Sequence, residues 1–282
     1  MKIISSTSNS FSSRQTMKKQ KLKDQFLKNR QVQSFIPWLV PLSIIVVWQL
    51  LSSIGVIPTR ILPAPLSVVG AAVHLAQTGE LFKNIGISAA RAISGFLVGG
   101  SIGFILGLVN GISPLAEKLL DTSIQMLRNI PNLALIPLVI LWFGIGDEAR
   151  LFLVSLGVMF PIYLNTFHGI RSVDAGLIEM GKVYGLNTWG LFWRIILPGA
   201  LSSILVGVRF SLGIMWLTLI VAETIAADSG IGYMAMNARE FMQTDVVVLS
   251  ILLYALFGKL ADVIARSLES YWLQWNPSYL KG

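Results

Sequence analysis

The chain has 282 residues, of which 54% are apolar and only 13% charged, with a mean hydropathy of +0.69 and a formal net charge of +8. Soluble domains carry about 25% charged residues; half that fraction cannot keep a surface wet, so most of this one must face lipid. Cysteine is absent, which excludes disulfides and thiolate metal sites.

Residues 1–35 carry Lys2, Arg14, Lys18, Lys19, Lys21, Lys23, Lys28 and Arg30 against Asp24 alone. Such a segment could bind nucleic acid. Ahead of a first apolar span, a basic tail more simply holds the N-terminus in the cytoplasm, so no nucleic-acid partner is expected. No small-residue cleavage site follows a short apolar core, so it does not read as a signal peptide. Its composition predicts disorder over about 1–30. The predicted organisation is this tail, a membrane domain over 36–270 and a short cytoplasmic tail over 271–282.

A helix needs about 20 apolar residues to cross the hydrocarbon. Six stretches qualify: 36–54, 88–109, 119–143, 151–170, 201–222 and 246–264. The expected fold is therefore an all-α membrane protein with both termini on one side. The basic residues choose the side. With the N-terminus inside, the cytoplasm receives the tail cations, Lys118, Arg171, Lys182, Arg194, Lys259, Arg266 and Lys281, leaving Arg60, Lys83, Arg150 and Arg239 outside. That asymmetry predicts N-in, C-in. Arg91, Arg128 and Arg209 fall inside spans. His74 and His168 lie in different segments without partner spacing, so both read as structural and no metal is expected.

The 55–87 connection opens on Pro58, Pro63 and Pro65, and Leu66, Val69 and Val73 then suggest an interfacial helix. In the second span Gly95, Gly99, Gly103, Gly107 and Gly111 recur every fourth residue and form one groove along a helix. Lipid offers helices no hydrophobic reason to associate, so a row of small residues marks close backbone contact, a seam within the chain or a sliding surface.

The 171–200 loop reads as two short helices. The first, about 174–184, stops at Gly185, a natural left-handed cap. The second is capped by Asn187 or Thr188 and ends near Pro198. Trp189, Phe192 and Trp193 are too apolar for a solvated loop and call for a partner or the headgroup region.

Here the chain resembles a known family. Permeases of binding-protein-dependent ABC importers carry Glu-Ala-Ala, three residues, Gly, nine residues, Ile, one residue, Leu-Pro. This sequence has Glu179, Gly185, Ile195, Leu197 and Pro198 at those spacings, with Met180 and Gly181 replacing the alanines. Residues 120–131, 141–145, 207–224 and 229–241 extend the resemblance, which is strongest to aliphatic sulfonate permeases within the nitrate/sulfonate/taurine group. The resemblance implies a type I, MetI-like importer fold. It implies a homodimer in the inner membrane that works with a dimer of ATP-binding subunits and a periplasmic or lipoprotein substrate-binding protein. It also implies that the loop docks on the ATPase as a coupling helix. The chain has no Gly-x-x-x-x-Gly-Lys-Ser/Thr loop, so it needs no cofactor of its own and hydrolysis belongs to another polypeptide.

Arg128 and Arg209 each lie about nine residues into their spans, roughly 13 Å deep. An arginine there costs at least ~2.5 kcal/mol unless paired or wet. With Pro131 and Glu223 they are candidate path residues for an anionic cargo. Alternatively, Arg128 caps carbonyls freed by Pro131 and Arg209 pairs with an acid. Arg239 and Glu240, in the 229–241 stretch, are expected to meet the binding protein. Nitrate, taurine or another small anion is the alternative cargo. A secondary transporter should show internal repeats and a channel a ring of selectivity groups; neither pattern is found. A membrane enzyme would need catalytic His, Cys or paired carboxylates within its spans, which are also not seen.

Overall fold

The computed structural model describes residues 30–275, with side chains from residue 39 onward except at Ala226. The tail expected over 1–35 therefore lies almost wholly outside the described residues, as does the end of the 271–282 tail. All regular structure described is helical. The chain divides into two compact units, 1–67 and 68–282.

In the first unit, α1 (Arg30–Ser53) covers the first expected span. Its described side chains are apolar and exposed almost all round, Leu39, Ile44, Val46 and Leu50 among them, as a lipid-facing helix requires. The Gln49 carboxamide oxygen accepts from the Leu66 backbone N–H at 3.2 Å and so draws the connection back towards the helix.

The second unit begins within the first turn of α2 (Pro65–Gln77), the helix expected in the first long connection. That connection is shorter than expected, because α3 runs from Glu80 to Ile112 and absorbs residues 80–87. Then follow α4 (Pro114–Arg128), a 3₁₀ turn (Asn132–Leu135), α5 (Ile136–Phe143), α6 (Asp147–Arg171), α7 (Ala175–Val183) and α8 (Thr188–Leu191). A π-helical turn (Phe192–Ile196) leads into α9 (Leu197–Ala226), which is followed by α10 (Ile231–Glu240) and α11 (Thr244–Trp272). Four described helices are long and apolar enough to cross a membrane: α3, α6, α11 and the continuous stretch Thr188–Ile225.

The stretch expected as one span over 119–143 is broken. Its two halves meet at 84° across a break at 129–131. Pro131 cannot donate to a helical ladder and holds its predecessor out of the α region, so a run whose hydropathy reads as continuous cannot continue as one helix. Counted as one span, the pair is the fifth in the described residues.

The glycine row settles how α3 packs. A Cβ built on Gly95 would lie 2.5 Å from Val154; on Gly99, 2.0 Å from the Ser155 carbonyl oxygen; on Gly103, 2.3 Å from that of Met159. Gly107 and Gly111 meet Thr166 and Ile170 in the same way. The seam is therefore with α6, backbone against backbone at Gly99, Gly103 and Gly107, and the partner numbers rise together, so the two helices run in parallel. On another face of α6, Gly169 lies against Ala200 and Ser203, and Gly207 of α9 against Asn165 and Pro161. These numbers run oppositely, so α9 is antiparallel to α6. Helix α4 is also antiparallel to α6, with Glu117 paired to Arg171, the Tyr163 hydroxyl donating to Asp121 at 2.6 Å and Ile124 packed beside Phe160.

These directions sort the loops of the second unit into two ends. The starts of α3 and α6, the end of α9, and α10 gather at one end. The start of α4 and the 172–196 segment lie at the other, about 37 Å away along the 25 residues of α6.

Candidate functional site

The 172–196 segment is built to hold its shape. Asp174 caps α7, its carboxylate accepting from Gly176 N–H at 2.7 Å. Gly185 ends the turn after α7 at φ +80°, a conformation costly for any residue with a Cβ. Asn187 caps α8, accepting from Gly190 N–H at 2.8 Å. Gly181 is buried, and a Cβ there would lie 2.5 Å from Ile195 and 2.7 Å from Leu191, both at side-chain ends. Glycine in place of the motif's alanine thus lets α7 sit tightly on the segment that follows it.

The second helix does not end at Pro198, as expected from sequence. Leu197 N–H reaches back five residues to the Phe192 carbonyl, and this π-helical turn carries the chain into α9 with Pro198 in the first turn. A proline is tolerated where a helix begins, because its absent N–H has no partner to lose; the wider turn supplies that beginning inside a continuous helix. Ile195 and Leu197 are half-buried, whereas Glu179 and Met180 face solvent. Outwards, the segment presents Val183, Tyr184 and Trp189 at 86%, 80% and 69% exposure. Trp193 packs edge to face on Trp189 and Phe192, with centroids 5.6 and 5.3 Å away, and Trp189 and Phe192 are tilted to one another at 6.2 Å.

At the opposite end Glu223 is the hub of a buried network. Its carboxylate accepts from Ser88 Oγ (2.8 Å), Arg91 Nη1 (3.0 Å), Gly232 N–H (2.9 Å) and Tyr254 Oη (2.9 Å), joining α3, α9, α10 and α11. Arg91 also donates to Asp147 Oδ1 at 2.7 Å and to the Ser229 carbonyl at 2.6 Å. Arg150, likewise buried, pairs with Asp147 at 2.6 Å. Asp228 rims the network, its carboxyl held below the usual range first by its own backbone N–H and then by the Ser229 hydroxyl. Arg239 and Glu240 are exposed at the end of α10, on the same side.

Of the four expected path residues, only Arg128 and Pro131 are brought together. Glu223 is fully buried and satisfied within the network. Arg209 donates to Asp262 at 2.8 Å and lies 3.6 Å from Glu269, both on α11, which is the structural alternative for this arginine. Arg128 is exposed and makes no ion pair among the described residues; it lines a cleft with Pro131 at the break of the third span. Sequence reasoning missed Ser88, Arg91, Asp147 and Tyr254. Only the presence of Arg91 inside a span signalled them, since their partners lie up to 143 residues away. No cluster of metal-ligating side chains occurs among the described residues.

Residues 99–272 match the model of the binding-protein-dependent transport system inner membrane component family. The chain belongs to that family. It is 65% identical over 243 residues to the aliphatic sulfonates transport permease protein SsuC of Escherichia coli, covering 86% of this chain and 92% of that one. It is 45% identical over 241 residues to the protein of that name in Bacillus subtilis, covering 86% and 87%. The fold matches the crystal structure of an amino acid ABC transporter with histidines at a TM-score of 0.51, with 16% identity, over 70% of this permease and 97% of that chain. The permease is thus a multi-pass protein of the inner membrane. Permeases of this family are the membrane subunits of ABC importers, which pair them with ATP-binding subunits and substrate-binding proteins, and they are not themselves the catalysts.

Proposed function

We propose that the permease carries aliphatic sulfonates inward as one of two copies, and that a separate ATP-binding subunit drives it through the 174–198 segment. One observation carries the coupling role. The segment is capped at Asp174, Gly185 and Asn187 and locked at Gly181, yet it leaves Tyr184, Val183 and Trp189 uncovered at the end of the helices. Exposed aromatics on a stiff element mark a surface awaiting a partner. A stiff element passes on displacement that a flexible loop would absorb. Glu179, Met180, Gly185, Ile195, Leu197 and Pro198 belong to this lever. The cargo reading rests on the similarity to the two sulfonate permeases, at 65% and 45% identity.

The segment faces the cytoplasm in this reading, with six spans and both termini inside. The binding protein then docks at the other end, near Arg239 and Glu240. Because the chain has no native cysteine, Tyr184→Cys supplies a unique thiol. A thiol-to-amine cross-linker on the assembled complex should join that position to the ATP-binding subunit and join Arg239→Cys to the binding protein. Exchange of those two partners would overturn the orientation. Absence of any link from Tyr184→Cys to the ATP-binding subunit would overturn the coupling role.

A further inference from the structure

The break in the third span opens a cleft of about 450 Å³, within the range of small-molecule sites. Its depth follows from the way α4 climbs α6: Glu117 meets Arg171, Asp121 meets Tyr163, and the cleft joins Arg128 to Gly157 and Phe160. Arg128 therefore stands level with the middle of a helix that runs from Asp147 to Arg171. A guanidinium at mid-membrane must be paired or wet. Arg91, Arg150 and Arg209 are all held by acids; Arg128 is exposed and has no acid partner among the described residues. Beside it in the cleft stand the carboxamides of Asn132 and Asn165. The rest of the wall is apolar, chiefly Phe160, Leu164, Phe210 and Ile214, with Phe210 at 65% exposure.

The lining combines one cation and two amide side chains with an apolar wall, the Asn165 amide also donating to the Pro161 carbonyl at 2.9 Å, and this is the complement of an anion with a hydrocarbon tail. We infer that the cleft is a transient binding site for alkanesulfonates within the permease. Arg128 takes the sulfonate group, and Phe210 and Ile214 take the alkyl chain. The inference rests on the cargo reading above and adds to it a prediction about chain length. Methylenes buried on the apolar wall favour longer chains over methanesulfonate, by about fourfold for each fully buried CH₂.

The test is uptake of methanesulfonate and hexanesulfonate by the reconstituted complex of permease, ATP-binding subunit and binding protein. Stimulated ATP hydrolysis is followed in the same vesicles. Arg128→Gln should lower uptake of both sulfonates at least tenfold per ATP hydrolysed, and Arg128→Lys should recover most of that loss. Phe210→Ala should lower hexanesulfonate uptake about tenfold and methanesulfonate uptake less than twofold. The site is overturned if Arg128→Gln reduces hydrolysis and uptake in the same proportion, if Arg128→Lys is no better than Arg128→Gln, or if Phe210→Ala affects both chain lengths equally. A wild-type complex that hydrolyses ATP yet carries neither sulfonate would refute the cargo reading itself, and the site with it.

Discussion

Replacing Gly99 by alanine is the most direct probe of the α3–α6 seam. The added carbon would lie 2.0 Å from the Ser155 carbonyl oxygen and 2.6 Å from its Cα. Both are backbone atoms, so no side-chain rotation relieves the contact. Restoring an ordinary 3.4 Å separation requires the helices to part by about 1.4 Å, and a gap of 0.5–1 Å already forfeits a quarter to a half of the dispersion energy of the atoms it separates. Overpacking in soluble cores costs about 1–3 kcal/mol; with backbone on one side of the clash, the upper end or beyond is expected here. Gly86 is the internal control. It lies in the same helix, and a Cβ there would meet nothing within 4 Å, so alanine should be neutral or gain up to about 1 kcal/mol from helix propensity. Thermal unfolding of the purified permease in detergent, followed by tryptophan fluorescence, should show a clear fall in Tm for Gly99→Ala and none for Gly86→Ala. Equal shifts for the two variants would refute the packing argument.

Glu223→Ala would take from Arg91 its buried acid, leaving the exposed Asp147, and would take the acceptor from the Ser88 and Tyr254 hydroxyls. Breaking a buried pair in this way costs about 3–5 kcal/mol, so the variant should fail to accumulate in membranes; Glu223→Gln, which keeps an acceptor, should be recovered at a higher level on immunoblots. At Gly181 the clashing atoms are the flexible ends of Ile195 and Leu191. Gly181→Ala should therefore retain near-normal transport, whereas Gly181→Leu should lift α7 off the π-helical turn and lower transport-coupled ATP hydrolysis by tenfold or more in reconstituted vesicles.

Features governed by local periodicity were legible in the sequence. The four-residue glycine spacing named the packing face of α3, and the caps at Gly185 and at Asn187 or Thr188 were announced because each acts on a backbone group within a few residues. The break at Pro131 was hidden because hydropathy sums over a window and is blind to one missing donor. The π-helical turn was hidden for a related reason: nothing local distinguishes a proline that ends a helix from one admitted by a wider turn before it. Glu223 appeared to be a path residue because Ser88, Arg91, Gly232 and Tyr254 are brought to it only by tertiary packing. Arg209 was ambiguous until Asp262 and Glu269 were placed opposite it on α11.

The dependence of transport on a second polypeptide acting through the 174–198 segment is tested most directly by sulfonate uptake into vesicles. Permease and loaded binding protein would be present throughout, with and without the ATP-binding subunit and ATP. The account predicts accumulation only when both are supplied, and its loss in Gly181→Leu. Accumulation at an undiminished rate without the ATP-binding subunit would contradict it.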